Sequence, residues 1–173
     1  VHFDVAQAGT LVYAERDPHA DELDLVWFGR DGKSEPLGVP KDQYNLLRIA
    51  PDGRRVAFTI ANARGIEEVW ISDVDHPGLR KLGTDPNADC SSVVWSPDGR
   101  NLYFTSDRGG KPQIYRVPAG GGEPTRVTLE GDYNARASIA PDGRKIAVAH
   151  GRGNEYRIAV WDIETERFTI LTP

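Results

Sequence analysis

Residues that could perform catalysis are present in this sequence, but their spacing does not assemble a recognisable site. None of the serines lies in the Gly-x-Ser-x-Gly frame that exposes a nucleophile at a sharp turn. The histidines His2, His19, His76 and His150 are scattered, and none is spaced with a second ligand for metal binding. Cys90 is the only cysteine, which excludes an internal disulfide and a zinc site based on paired cysteines. The sequence therefore predicts no catalytic residues.

Two further segments partly match ligand-binding motifs. Asp73 and Asp75 resemble the start of a calcium loop, but the later Asp, Gly and Glu ligands are missing. The three glycines at 120–122 follow a predicted strand and open no helix, which indicates a hairpin turn rather than a phosphate-binding loop. For His150, which follows an apolar strand, we expect a structural or surface role. The sequence thus predicts no metal site and no cofactor, and it indicates a protein that is not an enzyme.

Composition and charge narrow the class of protein further. Hydrophobic residues make up 39% of the chain and charged residues 27%, and no apolar run is long enough to span a membrane. Residues 1–86 carry 15 acidic and 10 basic side chains, whereas residues 87–173 carry 11 of each. A nucleic-acid-binding protein would show a basic stripe instead. Because the sequence begins with Val1 and contains no methionine, we expect a mature or excised segment from which any export signal has been removed.

A repeated turn organises the whole chain. Pro-Asp-Gly-Arg occurs at 51–54, 97–100 and 141–144, at intervals of 46 and 44 residues, and Gly9 lies 44 residues before Gly53. In each copy proline sets φ at the first corner, the aspartate side chain can bond its own backbone, and glycine supplies a positive φ. Three turns in phase, each followed by an apolar run, predict one structural unit repeated four times.

Each unit is interpreted as four short strands without a helix. The strands that follow the turns contain consecutive apolar residues, at 56–58, 102–104 and 146–148, which is typical of strands covered on both faces. Four-stranded antiparallel units of about 40–45 residues are the blades of a β-propeller. We therefore predict an all-β propeller with four blades in this chain, at about 1–39, 45–85, 90–129 and 134–173. A meandering sandwich would not repeat in phase.

The connections between predicted strands fall into two groups. Loops at 17–22, 61–67, 107–112 and 151–155 join second and third strands and are rich in polar residues and glycine, so we expect polar loop tips there. Loops at 40–45, 86–91 and 130–136 lead from one blade to the innermost strand of the next. Trp27, Trp70, Trp95 and Trp161 lie on predicted strands, where we expect them to pack between blades.

Four blades in an open arc would leave two blade faces uncovered. Such apolar faces are larger than a monomer tolerates. Three arrangements are compatible with the sequence: the four blades close on themselves, two chains form an eight-bladed ring, or further blades are missing. We favour self-association, because two half-rings close naturally around a two-fold axis.

Part of the sequence resembles a known family. Residues 102–128, 130–136, 138–143 and 157–162 are similar to the propeller of TolB-type proteins, and the similarity covers residues 90–173. Residues 9–14 and 25–32 instead resemble TolB-like propellers of multidomain bacterial proteins, including those fused to serine/threonine kinases. This difference suggests the hypothesis that the chain is a fusion or a fragment with a junction near 86–90.

The resemblance implies a function and a set of binding residues. TolB-type propellers are periplasmic and bind a peptidoglycan-associated lipoprotein over one mouth of the ring, through loops that enter the innermost strands. By position, the corresponding residues here are Asn45, Leu46, Ser91, Ser92, Ala135 and Arg136. We expect Arg136 to be the polar anchor, because arginine is favoured at energetic hot spots. The implied protein is a periplasmic interaction scaffold.

Two other interpretations remain open. Residues 107–110 and 121–123 also suit the propeller cap of a serine peptidase of the prolyl oligopeptidase type, whose catalytic domain would lie outside this chain. Alternatively, the chain is an engineered or recombined propeller without a natural ligand.

Overall fold

The predicted all-β architecture is confirmed. The computed structural model describes residues 3–6, 11–16, 22–83, 85–128 and 130–172, with residues 15 and 16 described by their backbone only. Within these ranges every helix or strand assigned is a β-strand, and the strands form four antiparallel four-stranded sheets. Gly9, His2, His19 and most of the loop at 17–22 lie outside the described residues.

In each sheet the strands are ordered as they occur in the chain, from innermost to outermost. The first blade contains β1 (Phe3–Val5), β2 (Leu11–Arg16), β3 (Leu23–Phe28) and β4 (Ser34–Pro36). The second contains β5 (Tyr44–Ile49), β6 (Arg55–Ala61), β7 (Glu67–Asp73) and β8 (Arg80–Leu82). The third contains β9 (Cys90–Trp95), β10 (Asn101–Ser106), β11 (Gln113–Pro118) and β12 (Thr125–Arg126). The fourth contains β13 (Tyr133–Ile139), β14 (Lys145–Arg152), β15 (Glu155–Asp162) and β16 (Arg167–Ile170).

The Pro-Asp-Gly turns connect the first and second strands of blades two, three and four. In the third blade, the Gly99 amide donates to the Ser96 carbonyl at 2.9 Å, and Gly99 has a φ of 67°. The Asp98 carboxylate accepts a hydrogen bond from the Arg100 amide at 3.0 Å. The turns at 50–54 and 140–144 repeat all three features. The turn chemistry predicted from the sequence is therefore present in each copy.

Apolar clusters fill the spaces between consecutive blades. Leu25 and Leu37 of the first blade share a cluster with Phe58 of the second. Because side chains alternate along a strand, Ala57 points to the opposite face and joins a second cluster with Phe104 of the third blade. A third cluster links blades three and four. Strands β6 and β10 are consequently buried on both faces, as their consecutive apolar residues predicted.

The four blades form an arc whose two terminal sheets do not close onto each other. On the first blade, Phe3 and Val5 remain 59% and 52% exposed and lie on the face opposite to the one that packs on blade two. On the fourth blade, Tyr156 and Ile158 remain 66% and 46% exposed on the face that points away from blade three. Two apolar faces are thus uncovered within this chain.

Candidate functional site

The arc has two ends with different architecture. The turn end carries the three Pro-Asp-Gly turns at 50–54, 96–100 and 140–144. The mouth is the opposite end, where the innermost strands begin and where the hairpin loops at 62–66, 107–112 and 153–154 connect second and third strands. All six residues predicted from the resemblance to bind a partner lie near the mouth, on the innermost strands β5, β9 and β13.

Each of these three strands contains a β-bulge near its start. In blade two, Asn45 pairs with Thr59 and Arg48 pairs with Ala57, so that Leu46 and Leu47 together face Phe58. The same shift of register occurs in blade three after Ser91 and in blade four after Ala135. A bulge bends the strand and redirects a side chain, and bulges are common beside functional sites.

The first bulge residue is left-handed in all three strands. Leu46, Ser92 and Arg136 have φ values of 52°, 55° and 57°. For a residue other than glycine this conformation costs roughly 1–2 kcal/mol, because Cβ approaches the following carbonyl oxygen. The three residues follow one another at the repeat intervals of 46 and 44. The mouth therefore carries the same strained backbone feature in three consecutive blades.

The three innermost strands begin earlier in the chain than the sequence predicted. The loops predicted at 40–45, 86–91 and 130–136 end earlier, because β5, β9 and β13 begin at Tyr44, Cys90 and Tyr133. Asn45 and Ser91 are polar, but their backbone pairs with the second strand of their blade. Polarity of the side chain does not prevent this pairing, since the ladder is formed by main-chain groups. Asn45, Ser91, Ala135 and Arg136 thus belong to strands rather than to the predicted loops.

The six side chains have unequal access to solvent. Arg136 is exposed and forms no hydrogen bond or ion pair through its guanidinium with the described residues. Leu46, Ser91 and Ser92 are half-buried. Asn45 is also half-buried, and its amide donates to Glu67 Oε1 at 2.9 Å. Ala135 is buried. Arg136 is therefore the most accessible polar group of the set.

Two threonines, Thr59 and Thr105, lie behind the bulges and were not predicted from the sequence. The backbone amide of Arg136 donates to Thr105 Oγ1 of the preceding blade at 3.2 Å. Thr59 occupies the equivalent position one blade earlier and is fully buried, but its hydroxyl has no hydrogen-bond partner among the described residues. The spacing of 46 residues between the two threonines was a signal available in the sequence.

The mouth also contains Cys90, whose reactivity the fold suppresses. Burial raises the pKa of the Cys90 thiol, although contacts with Ser106 and Arg108 partly oppose that effect. Among the residues that the structure describes, no group of three or more His, Cys, Asp or Glu side chains is arranged to hold a metal ion. The described part also contains no helix that is long and apolar enough to cross a bilayer.

At the turn end, polar and aromatic groups also link neighbouring blades. The Arg55 guanidinium pairs with Asp52 at 2.8 Å and donates to the Gly99 carbonyl of the next blade at 2.9 Å. The same guanidinium lies 4.9 Å above the ring of Trp95. Trp95 Nε1 in turn donates to the Arg48 carbonyl at 2.9 Å. This end is held by reciprocal contacts between blades two and three.

Four radially adjacent antiparallel blades, joined by apolar clusters in chain order, define a β-propeller. The bulges in three of its innermost strands all lie at the mouth. Residues 46–173 match the model of the TolB beta propeller domain, and the chain belongs to that family.

Relatives and solved structures support this assignment. The chain is 57% identical over 47 residues to the Tol-Pal system protein TolB of Xanthomonas campestris pv. campestris (strain B100), a match that covers 27% of the chain and 11% of that protein. The crystal structure of TolB from Acinetobacter baumannii superposes with a TM-score of 0.76 at 30% identity, over 95% of the chain and 41% of that structure. A puromycin-hydrolyzing peptidase of Mycobacterium tuberculosis gives a TM-score of 0.74 at 20% identity, over 98% and 30%, and shares the fold. The chain thus spans less than half the length of each of these proteins.

Proposed function

We propose that this propeller is a protein-interaction scaffold that binds its partner over the mouth. The observation that carries the proposal is the triple bulge, which places Leu46, Ser92 and Arg136 in the same left-handed conformation in successive blades. Strained backbone clusters at binding and catalytic sites, where it positions a side chain for use. The rigid sheets behind the bulges would present these residues without rearrangement.

The partner proposed is a peptidoglycan-associated lipoprotein. Support comes from the family and from similarity to proteins named as TolB of the Tol-Pal system. A standard interface would bury on the order of 800 Å² on each side, which requires several blades of the mouth rather than one loop. By the same similarity we propose that the protein acts in the periplasm.

Arg136 is proposed as the anchor of this interface. It is exposed, its guanidinium has no partner within the described chain, and its backbone amide is fixed by Thr105. Arginine side chains in such positions are frequent hot spots, for which truncation costs about 2 kcal/mol or more. The side chains of the six candidate residues include no acid–base pair, and we therefore propose binding rather than catalysis.

The direct test is binding of the soluble domain of a peptidoglycan-associated lipoprotein, measured by calorimetry. Arg136→Ala is expected to weaken binding about thirtyfold, the equivalent of about 2 kcal/mol. Arg144→Ala is the matched control, because Arg144 lies on the same blade at the turn end. Unchanged affinity of the Arg136 variant, or equal losses in both variants, would contradict the proposal.

A second candidate function is the propeller cap of a serine peptidase. The superposition on the puromycin-hydrolyzing peptidase favours it, since that enzyme carries the same fold over 98% of this chain. The reading frame from which the chain comes distinguishes the two functions. A downstream hydrolase domain with a Gly-x-Ser-x-Gly nucleophile would support the cap.

We further propose that the two uncovered faces are covered by a second copy of the chain in an eight-bladed ring. The faces are apolar, as are the three described interfaces between blades, and they lie at opposite ends of the arc. Two copies can therefore cover both faces with one two-fold axis.

Molar mass in solution tests this association. A value near twice the 19.1 kDa of the chain supports the paired ring. Ile158→Asp should then shift the mass toward that of one chain, because it would bury an unpaired carboxylate in the new interface. A value near 19.1 kDa for the unchanged chain at high concentration would contradict the proposal.

A further inference from the structure

Two arginines at equivalent positions of blades three and four make different contacts. Arg108 and Arg152 lie 44 residues apart, at the mouth end of the second strand. In blade three, Arg108 Nε donates to Ser106 Oγ at 3.2 Å and Nη2 donates to the Gly83 carbonyl at 3.2 Å. Its guanidinium also lies 5.3 Å from the ring centre of Phe104 and 4.9 Å from that of Tyr115. Arg108 is therefore held by its own blade and by Gly83, which follows the last strand of blade two.

Blade four lacks the groups that would hold Arg152 in the same way. The positions of Phe104 and Tyr115 are occupied by Val148 and Ala159, so there are no aromatic rings to stack on. Arg152 is exposed and forms no hydrogen bond or ion pair with the part of the chain that the structure describes. It lines a cavity of about 350 Å³ that is built from β14, β15, β16 and Glu130. This size lies within the range of small-molecule sites.

A hydrogen-bond network fixes the state of the histidine in this cavity. The Asn134 amide nitrogen donates to Gln113 Oε1 and to the Glu130 carbonyl, both at 2.7 Å. Asn134 Oδ1 must therefore accept the proton of His150 Nδ1, 2.8 Å away. In the neutral ring, Nε2 then carries a free lone pair. Burial lowers the pKa of His150, which favours this neutral form.

The remaining walls supply a carboxylate and an apolar surface. The side chain of Glu130 forms no ion pair with the described residues. Phe168 packs against the His150 ring with centroids 4.5 Å apart, and Ile170 lies beside it with 42% of its surface exposed. Glu155 and Arg157 also line the cavity but pair with each other at 2.9 Å. The Arg152 guanidinium, the Glu130 carboxylate and His150 Nε2 form no hydrogen bond or ion pair with the described residues, although the charge of Arg152 helps to lower the pKa of the nearby Asp132 carboxyl. An apolar wall borders these groups.

We propose that this cavity binds an apolar α-amino acid, either free or as part of a short peptide. The ligand carboxylate binds Arg152, because guanidinium and carboxylate form charge-assisted hydrogen bonds. Its ammonium group binds Glu130 and His150 Nε2, and its side chain packs on Phe168 and Ile170. The site is separate from the bulges at Leu46, Ser92 and Arg136, so it does not depend on the scaffold function proposed above.

The test is calorimetric titration of the 173-residue chain with four probes: L-leucine, N-acetyl-L-leucine, L-leucinamide and glycyl-L-leucine. L-Leucine is expected to bind, and the two blocked forms to bind at least about tenfold more weakly, because each lacks one of the charged groups. Tighter binding of glycyl-L-leucine than of L-leucine would identify a peptide as the source, and weaker binding would identify the free amino acid.

Two variants test whether L-leucine binds in the cavity. Arg152→Gln should reduce the affinity for L-leucine about tenfold or more without a change in thermal unfolding, because its side chain is exposed and unbonded. Arg144→Gln, at the turn end of the same blade, should leave the affinity unchanged. Absence of binding of both L-leucine and glycyl-L-leucine at about 10 mM, or equal affinity of the Arg152 variant, would overturn the proposal.

Discussion

The two ends of the arc differ in backbone conformation although they belong to the same four-stranded blades. At the turn end, charged and aromatic groups are bonded to the neighbouring blade, as in the contacts of Arg55 with Gly99 and Trp95. At the mouth, backbone strain is retained in three successive bulges, and the guanidinium groups of Arg136 and Arg152 form no hydrogen bond or ion pair with the described residues. Blades are also linked by polar bonds at the mouth, such as that of Arg108 with the Gly83 carbonyl, so the two ends differ mainly in the strained bulges. Substitutions should therefore have opposite effects on stability at the two ends.

The largest effect is expected at Trp95. Trp95→Ala should lower the free energy of unfolding by about 3 kcal/mol or more, because a buried ring and its hydrogen bond to the Arg48 carbonyl are both lost. Trp95→Phe keeps an aromatic ring and should cost less than half as much. Chemical denaturation measures both values. Equal losses would show that the hydrogen bond, rather than packing, holds this end.

The second-largest loss of stability is expected on substitution of a turn glycine. Gly99→Ala is expected to destabilise the chain by about 1–2 kcal/mol, because alanine at a φ of 67° is strained and its Cβ would lie 3.0 Å from Arg55 Nη2. Gly120→Ala is the control, since Gly120 has no positive φ and its added Cβ would meet nothing within 4 Å. A loss at Gly120 as large as that at Gly99 would remove the conformational explanation.

At the mouth, by contrast, a substitution that removes backbone strain should raise the free energy of unfolding. Ser92→Gly relieves a left-handed residue and is expected to raise the free energy of unfolding by up to about 1 kcal/mol, after the entropic cost of glycine. The neighbouring Ser91→Gly removes no strain and should destabilise by about 0.5–1 kcal/mol. If both variants lose stability equally, strain is not concentrated at the bulge.

The smallest effect is expected on mild acidification. Burial holds the pKa of His150 below its usual value near 6.5, with Glu130 opposing and Arg152 reinforcing this shift. Between that value and the lower pKa of the folded state, the unfolded chain binds more protons, so stability is complete above about pH 6.5 and declines below it. His150→Gln should flatten this decline, whereas His76→Gln, on an exposed loop, serves as the control. Thermal unfolding between about pH 7.5 and pH 5 measures the effect.

The turn end should begin to lose stability only at lower pH. The Ser96 hydroxyl and the Arg100 amide both donate to Asp98 and hold the pKa of its carboxyl below the usual range. The stabilisation from this carboxylate is complete above about pH 4 and is lost as the pH falls further. Acidification thus distinguishes the two ends by the pH at which each responds.

The fold could be predicted from the sequence because its signals are local and repeated. The Pro-Asp-Gly turns specify φ and side-chain bonds within four residues, and the apolar runs at 56–58 and 102–104 specify burial on two faces. Blade boundaries and the proposed junction near 86–90 stay predictions.

That the six candidate residues bind a partner stays a prediction, and the conformation that three of them share in the structure could not be predicted from the sequence. The resemblance selected Leu46, Ser92 and Arg136, but nothing in a leucine, a serine and an arginine indicates a shared positive φ, because neighbouring strands impose it. The hydrogen bond from Arg136 to Thr105 crosses between blades and depends on their packing. The exposure of Arg152 likewise becomes understandable only when blade four is compared with blade three, whose two aromatic rings are replaced by Val148 and Ala159.

The apolar clusters connect the blades in series, and this arrangement affects how the chain opens. Each cluster joins only two neighbours, so loss of an outer sheet leaves the central interface of Val69, Phe104 and Val117 intact. Partial unfolding should therefore proceed inward, with the slowest amide hydrogen exchange in β6, β7, β10 and β11.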